Sequence, residues 1–150
     1  MLQKILLKPI IFMSLFLILV SGKANAVLEI EVEGGFQSAT PIAIVPFKWS
    51  QSGRAPVDIA SIVRADLSRS GLFSPLTLTQ LPERPAIGAP INFPRWKNTE
   101  AEQLVIGDIS EVSQGLYEVK FQMMDVFSGQ EILGYRFNVQ QKNLRRVAHQ

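Results

Sequence analysis

Apolar and acidic residues alternate strictly in residues 27–33, near the start of the chain. Three apolar residues occupy one set of positions and three glutamates the other: Leu28, Ile30 and Val32, and Glu29, Glu31 and Glu33. A period of two predicts a β-strand with one apolar and one charged face, and Gly34 and Gly35 end it. The residues leave two interpretations open. The segment is either an edge strand of the domain's own sheet, which is the commoner arrangement, or a strand donated to the sheet edge of a partner protein.

Residues 42–47 are a compact apolar run marked by Pro41 and Pro46. This composition predicts a strand that is buried on both faces. The following residues, 48–54, are polar apart from Trp49 and predict a loop. We expect Trp49 to act as a lid on the core rather than as a surface contact, because its large ring gains much from burial.

Residues 57–70 contain the clearest helical pattern of the chain. Four apolar side chains recur at helical spacing and make one face: Ile59, Ile62, Val63 and Leu67. Pro56 precedes the segment, Asp58 puts a negative charge near the positive N-terminal end, and Gly71 follows at the usual stop position. The charged residues of the segment predict a solvated face: Asp58, Arg64, Asp66 and Arg69.

The next part of the chain carries weaker signals. Residues 73–78 predict a short edge strand, since Pro75 cannot donate a hydrogen bond to a neighbouring strand. Four prolines between positions 81 and 94 predict a long exposed loop. Residues 95–101 predict a short helix that packs Trp96 inward.

The last third of the chain predicts a meander of strands. Three strands are predicted, at residues 103–112, 116–126 and 131–139. Short connections that contain Gly115 and Gly129 separate them, which is the pattern of β-hairpins. Residues 141–150 have the pattern of the first turns of a helix. The elements together predict an α/β (α+β) fold, in which a mixed sheet of about five strands packs with two or three helices.

The first 26 residues have the composition of a secretory signal peptide. Lys4 and Lys8 give a basic start, residues 9–20 are almost entirely apolar, and Ala24 and Ala26 fit a small-residue cleavage site. The apolar run is short for a membrane-spanning helix, which needs about 20 apolar residues. We therefore expect cleavage after Ala26 and export of the remaining chain.

Removal of this peptide changes the charge of the protein. The full sequence has 15 basic and 13 acidic residues, a net charge of +2. Three lysines leave with the peptide, so 12 basic residues remain against 13 acidic ones and the net charge becomes −1. The mature chain therefore lacks the excess of positive charge that is typical of nucleic-acid-binding proteins. Cysteine is absent, so stability in an oxidising compartment depends on core packing rather than on disulfides.

Motifs of enzymes and metal sites are missing from the sequence. The only histidine, His149, has no cysteine to partner it, and metal ligation needs several converging ligands. Gly34 and Gly35 lack the Gly-Lys-Ser/Thr continuation of a phosphate-binding loop. We therefore expect a binding module without catalytic residues, metal or cofactor. Two alternatives stay open: a small periplasmic ligand-binding or enzymatic α/β domain that uses residues 81–94 as a lid, and a purely structural spacer.

Several stretches resemble the N-terminal domain of the TolB family, the periplasmic component of the Tol-Pal cell-envelope system of Gram-negative bacteria. They are Ala-Asn-Ala at 24–26, the strand at 27–33, Pro-Ile-Ala-Ile-Val-Pro-Phe-Lys-Trp at 41–49, the helix at 58–73 and Leu-Arg-Arg at 144–146. The resemblance covers the whole mature chain. It implies an α/β domain at residues 39–150 that is similar to the anticodon-binding domains of tRNA synthetases. A six-bladed β-propeller normally follows in this family, and the resemblance implies that this chain stops before it.

The resemblance also implies a partner. In this family the mature N-terminal peptide engages the C-terminal domain of the inner-membrane protein TolA, which favours the donated strand over the edge strand. The peptide corresponds to Val27, Leu28, Glu29, Ile30, Glu31, Val32, Glu33, Gly34, Gly35, Phe36, Gln37 and Ser38. The lipoprotein Pal is expected to bind only through the missing propeller, and no small-molecule substrate is expected. The implied function is that of a periplasmic interaction component that supports outer-membrane integrity and envelope constriction at cell division.

Overall fold

The computed structural model of the protein describes residues 38–149. In chain order its elements are β1 Thr40–Ile44, β2 Lys48–Trp49, α1 Ile59–Ser70, β3 Phe73–Pro75, α2 Phe93–Trp96, β4 Gln103–Ser113, β5 Leu116–Asp125, β6 Glu131–Gln140 and α3 Leu144–Val147. A short 3-10 helix, Gln141–Asn143, joins β6 to α3. The predicted mixed α+β architecture is confirmed. The predicted signal peptide and residues 27–37 lie outside the described residues.

β1 occupies an interior position in a six-stranded sheet, whose order is β3-β1-β4-β5-β6 with β2 paired to β4. It runs parallel to both of its neighbours, and Ala43 lies opposite Leu104 of β4. Strands in parallel surroundings are commonly buried on both faces, and Ile42, Ala43 and Ile44 are at most 1% exposed. The predicted strand is therefore confirmed. It ends at Ile44, ahead of Pro46, which has no N–H to donate.

A strand of two residues follows inside the segment predicted as a polar loop. β2 pairs in parallel with β4, where Lys48 lies opposite Asp108. The loop prediction for residues 48–54 is wrong at these two positions, because so short a strand has no periodic pattern of its own. β2 also raises the number of strands from about five to six. Trp49 is half-buried and stacks on Tyr117 with a ring-centroid distance of 6.2 Å, which confirms that it is a lid on the core.

The strands β4, β5 and β6 form the predicted antiparallel meander. The β4–β5 pairing extends from Gln103 opposite Asp125 to Ser113 opposite Leu116, and β6 pairs along most of the other side of β5. The connecting turns contain Gly115 and Gly129, with φ of 73° and 71°. Glycine adopts this left-handed conformation without the strain that other residues have there. Both predicted hairpins are confirmed.

α1 is the helix predicted from apolar periodicity, and it begins at Ile59 rather than at residue 57. The Asp58 carboxylate accepts a hydrogen bond from the backbone N–H of Ser61 at 2.9 Å. Asp58 therefore caps the helix instead of lying within it, and satisfies one of the free N–H groups of the first turn. Gly71 ends the helix in the left-handed conformation, as its sequence position predicts.

Replacing Asp58 with alanine is expected to lower the free energy of unfolding by about 1 kcal/mol, since the N–H of Ser61 loses its partner. Asp58→Asn is the matched control, because asparagine keeps a side-chain acceptor and should cost much less. Urea denaturation of the three proteins measures the difference. An equal loss in both variants would show that the charge of Asp58, and not its hydrogen bond, stabilises the helix.

Two residues of the predicted solvated face of α1, Arg64 and Asp66, are only partly exposed. The guanidinium group of Arg64 reaches the end of β1, where Nη2 donates a hydrogen bond to the carbonyl oxygen of Ile44 at 2.8 Å. The long stem of arginine allows this contact, because it packs along apolar surface while its head finds a polar partner. Asp58 and Arg69 are exposed, as predicted. α1 is therefore bound to the sheet by a polar contact as well as by its apolar face.

The long connection between β3 and β4 covers the face of the sheet opposite α1. Eight buried residues from the sheet and this connection make one core cluster: Ala43, Val45, Leu76, Trp96, Ala101, Leu104, Ile106 and Val126. Leu81, Ile87 and Ile91 are partly buried against it. The prediction of an exposed loop over residues 81–94 is therefore wrong for these three side chains. Prolines indicate irregular backbone, and they do not indicate which side chains pack inward.

Glu83 fixes this connection in place. Its Oε1 accepts hydrogen bonds from the indole N–H of Trp96 at 2.8 Å and from the backbone N–H of Asn92 at 2.9 Å. Trp96 is fully buried, as predicted. The helix predicted over residues 95–101 is shorter and lies earlier, at α2, where Asn92 caps its start.

The C-terminal segment folds as predicted. After the 3-10 helix, α3 buries Leu144 completely against the α1 side of the sheet. Between residues 38 and 149, no helix has the length and apolar character needed to cross a membrane.

Candidate functional site

Ser38 is the one predicted partner-binding residue that the structure describes. It is exposed and lies two residues before β1. The N–H of Thr40 donates to the carbonyl oxygen of Leu72 at 2.9 Å, and Ser38, Thr40, Gly71 and Leu72 line a cavity of about 310 Å³. The chain from the predicted partner-binding strand thus enters the sheet at the start of β1, through an exposed residue. The strand itself stays a prediction.

An apolar groove lies between α1, the sheet and the end of α3, and has a volume of about 290 Å³. Ile59, Val63 and Leu67 of α1 form one wall, while Val119 and Phe121 of β5 lie on another. Apolar surroundings with few polar groups are typical of sites that bind apolar side chains or small ligands. We call this cavity the apolar groove below.

The polar residues of the apolar groove lie where α1 meets the end of α3. His149 Nδ1 is 2.5 Å from Asp66 Oδ2, and Asp66 Oδ1 also pairs with the guanidinium group of Arg69. The hydrogen bond with His149, supported by Arg69, holds the pKa of the Asp66 carboxyl below its ordinary value. The sequence offers no signal for this pair, because the two residues are 83 positions apart.

Three aromatic rings stack on β5 and β6 on the same face of the sheet as the apolar groove. Phe121 is 5.6 Å from Tyr135 and 6.1 Å from Phe137 between ring centroids, and Tyr135 is 6.1 Å from Phe137. The register places Phe121 directly opposite Tyr135. Tyr135 is 58% exposed, so this stack extends the apolar surface of the groove toward solvent.

The opposite face of the same hairpin is charged. The Lys120 ammonium pairs with Glu118 at 2.6 Å, and Arg136 of β6 approaches the other carboxylate oxygen at 3.5 Å. The hydrogen bond from Lys120 lowers the pKa of the Glu118 carboxyl. In the β5–β6 turn, the backbone N–H and hydroxyl of Ser128 lower the pKa of the Asp125 carboxyl in the same way. These carboxylates stabilise strands and turns.

Among residues 38–149, the side chains that could hold a metal ion do not cluster. Within residues 38–149, no three His, Cys, Asp or Glu side chains come together in a way that could hold a metal ion. The connection at residues 81–94 covers a filled core, in which Leu76 and Trp96 occupy the space beneath it. This packing counts against the alternative in which residues 81–94 act as the lid of a ligand site.

The family model described as the TolB amino-terminal domain matches residues 28–132. The match covers more than half of the chain. This chain belongs to the TolB N-terminal domain family. The resemblance recognised in the sequence motifs is therefore confirmed. The match to the TolB family model also includes residues 28–33 of the alternating segment.

The names of similar proteins support the assignment to this family. The chain is 40% identical over 136 residues to the Tol-Pal system protein TolB of Thioalkalivibrio sulfidiphilus, a match that covers 90% of this chain and 31% of the relative. It is 40% identical over 130 residues to the Tol-Pal system protein TolB of Nitrosococcus oceani, with 87% and 30% covered. The chain thus spans about 30% of the length of these relatives.

A solved structure shares the fold. The crystal structure of TolB from Acinetobacter baumannii superimposes with a TM-score of 0.61 at 32% identity, over 74% of this chain and 26% of that one. The lipoprotein GNA1162 of Neisseria meningitidis superimposes with a TM-score of 0.53 at 14% identity, over 67% of this chain and 80% of that one. The second likeness concerns the fold alone.

Proposed function

We propose that the protein is a periplasmic interaction component of the Tol-Pal cell-envelope system, which supports outer-membrane integrity and envelope constriction at cell division. The observation that carries this proposal is membership of the TolB N-terminal domain family, together with relatives named Tol-Pal system protein TolB. The signal-peptide composition of residues 1–26 supports an exported location. The proposal assigns Pal binding to the propeller of the family and not to this N-terminal domain.

Residues 27–38 bind the C-terminal domain of TolA by adding a strand to its sheet. Backbone hydrogen bonds supply affinity in this mode, and alternate side chains fix the register. Leu28, Ile30 and Val32 face the apolar surface of the partner, while the glutamates between them face solvent. The exposed position of Ser38, two residues before β1, supports this role because the segment joins the domain at an accessible point.

The protein acts through binding and not through catalysis. Asp66, Glu118 and Asp125 have lowered pKa values, so these carboxylates stay ionised near neutral pH. This makes them unsuited to act as general acids, which need a pKa raised toward the working pH. The contacts of these groups also serve structure: two belong to ion pairs and one closes a turn.

Amide hydrogen exchange on the mature chain, with and without the TolA C-terminal domain, tests the proposed function. Fast exchange at residues 28–32 in the free chain and slow exchange in the mixture is the expected result. Slow exchange in the free chain that does not change on mixing would assign the segment to the domain's own sheet. The TolA interaction would then have to lie elsewhere.

Replacing Ile30 with proline is expected to weaken TolA binding about tenfold or more. Proline removes the backbone N–H and fixes φ, so the added strand loses one hydrogen bond and its regular geometry. Isothermal titration calorimetry of the mature chain with the TolA domain measures the change.

Ile30→Val is the matched control for this substitution. Valine keeps the N–H, the β-branched shape and most of the apolar surface, so its affinity should stay close to that of the wild type. Unchanged binding of the proline variant would exclude strand addition through the centre of this segment.

A further inference from the structure

The end of α3 is held to the domain by two kinds of contact. Leu144 and Ala148 are buried in the same core cluster as Ile59 of α1. His149 adds a polar contact to the Asp66 carboxylate of α1 at 2.5 Å. Both residues of the polar contact line the apolar groove. The apolar contacts are independent of pH, whereas the polar one depends on protonation.

Histidine is the side chain that ordinarily changes its charge between pH 5 and 8. A protonated His149 forms an ion pair with Asp66, whereas a neutral imidazole offers only an uncharged hydrogen bond, which is weaker. Arg69 pairs with the other oxygen of Asp66, and Arg145 and Arg146 are the basic residues of α3, which precedes His149 along the chain. The strands that line the apolar groove beside this pair contribute apolar side chains.

We propose that His149 and Asp66 form a proton-dependent latch that fixes the end of α3 against α1 and closes the apolar groove on that side. When the imidazole is protonated, the last helical turn is held down. When the imidazole is neutral, the turn opens more often and the groove becomes more accessible. The latch does not depend on the proposed function, so either can fail without the other.

Protonation of Asp66 opens the latch in acid. Its pKa is lowered in the folded protein, chiefly by the hydrogen bond with His149. A carboxyl of this kind contributes stability above its unfolded pKa and loses it as pH falls through the folded pKa. The latch is therefore closed while Asp66 is ionised and His149 is protonated, and it opens when either charge is lost.

Hydrogen exchange of the full chain at pH 6 and pH 8, corrected for intrinsic exchange rates, tests the latch. The amides of Ala148 and His149 report on it, because they donate to the carbonyl oxygens of Leu144 and Arg146. Their protection is expected to be about two- to fivefold greater at pH 6, the range found for exposed ion pairs. Since the sequence holds one histidine, an NMR titration of its ring follows the protonation step directly.

Three variants make the test specific. Asp66→Asn and His149→Gln each remove one charge of the pair, and both are expected to abolish the difference between pH 6 and pH 8. Asp58→Asn makes the same acid-to-amide change on the same helix, away from His149, so it is the matched control and should keep the difference. Equal protection of the wild-type amides at both pH values would overturn the latch. A pH difference that persists in Asp66→Asn would also overturn it.

Discussion

Replacing Trp96 with alanine is expected to lower the free energy of unfolding by about 3–5 kcal/mol, the range for large aromatic side chains removed from cores. Trp96 is fully buried between the sheet and the connection from β3 to β4. Its loss leaves a cavity under that connection, and it leaves Glu83 without its indole donor. A domain stability of about 5–15 kcal/mol is usual, so the variant is expected to be marginally folded. Thermal unfolding followed by circular dichroism should show a fall in Tm of about 10–20 °C.

Two variants separate packing from hydrogen bonding at this position. Trp96→Phe keeps most of the apolar volume and removes the N–H, so it should cost clearly less than alanine. Glu83→Gln keeps an acceptor for the indole N–H and the backbone N–H of Asn92, and should cost least. If Trp96→Ala lowered stability by less than about 1 kcal/mol, the connection would have to refill the cavity, and its role as a fixed cover of the core would be wrong.

Replacing Gly107 with alanine is expected to destabilise the protein by about 1–3 kcal/mol through overpacking. A Cβ atom on Gly107 would lie 2.5–2.6 Å from three ring atoms of Phe47. The side chain of Phe47 packs against two clusters of the core, so moving it aside would cost contacts in both. The absence of a side chain at Gly107 is therefore what lets the ring pack closely against β4. Urea denaturation measures the loss.

A double-mutant cycle identifies the cause of this loss. Phe47→Leu shortens the side chain that meets the new Cβ, so Gly107→Ala should cost less in the Phe47→Leu background than in the wild type. Residues in direct contact show coupling of about 0.5–3 kcal/mol. Simple additivity of the two substitutions would place the effect in the strand backbone and would exclude the clash with Phe47.

The elements that the sequence predicted correctly are those whose signals are local. α1 follows from four apolar residues at helical spacing and from Gly71, and the hairpins follow from alternation and two turn glycines. Each signal lies within a few residues of the structure that it specifies. The predicted starts of helices were less accurate than the helices themselves. An aspartate such as Asp58 is favourable both in the first turn of a helix and as its N-cap, and the structure shows only the N-cap. The burial of Trp96 was also predictable from its apolar character.

Features that depend on distant residues were not predictable in this way. Lys48 and Trp49 form a strand only because β4 offers a free edge to them. Arg64 donates a hydrogen bond to the carbonyl oxygen of Ile44, which lies 20 residues earlier in the sequence. Asp66 contacts a histidine that lies 83 residues later. No periodic pattern encodes such contacts, because each partner is chosen by the folded arrangement. The role of residues 27–38 rests on alternation and family resemblance, and remains a prediction.

The interior position of β1 also determines when the sheet can close. β1 is the first described strand along the chain, but Thr40 pairs with Phe73 and Ile42 pairs with Gln103. The β4–β5–β6 meander needs only neighbouring segments, and contacts close in sequence form fastest. The meander is therefore expected to act as the folding template, onto which β1 docks afterwards. A chain that emerges N-terminus first therefore leaves β1, its most apolar described strand, unpaired until the last third of the chain has followed. This interval is the one most exposed to aggregation.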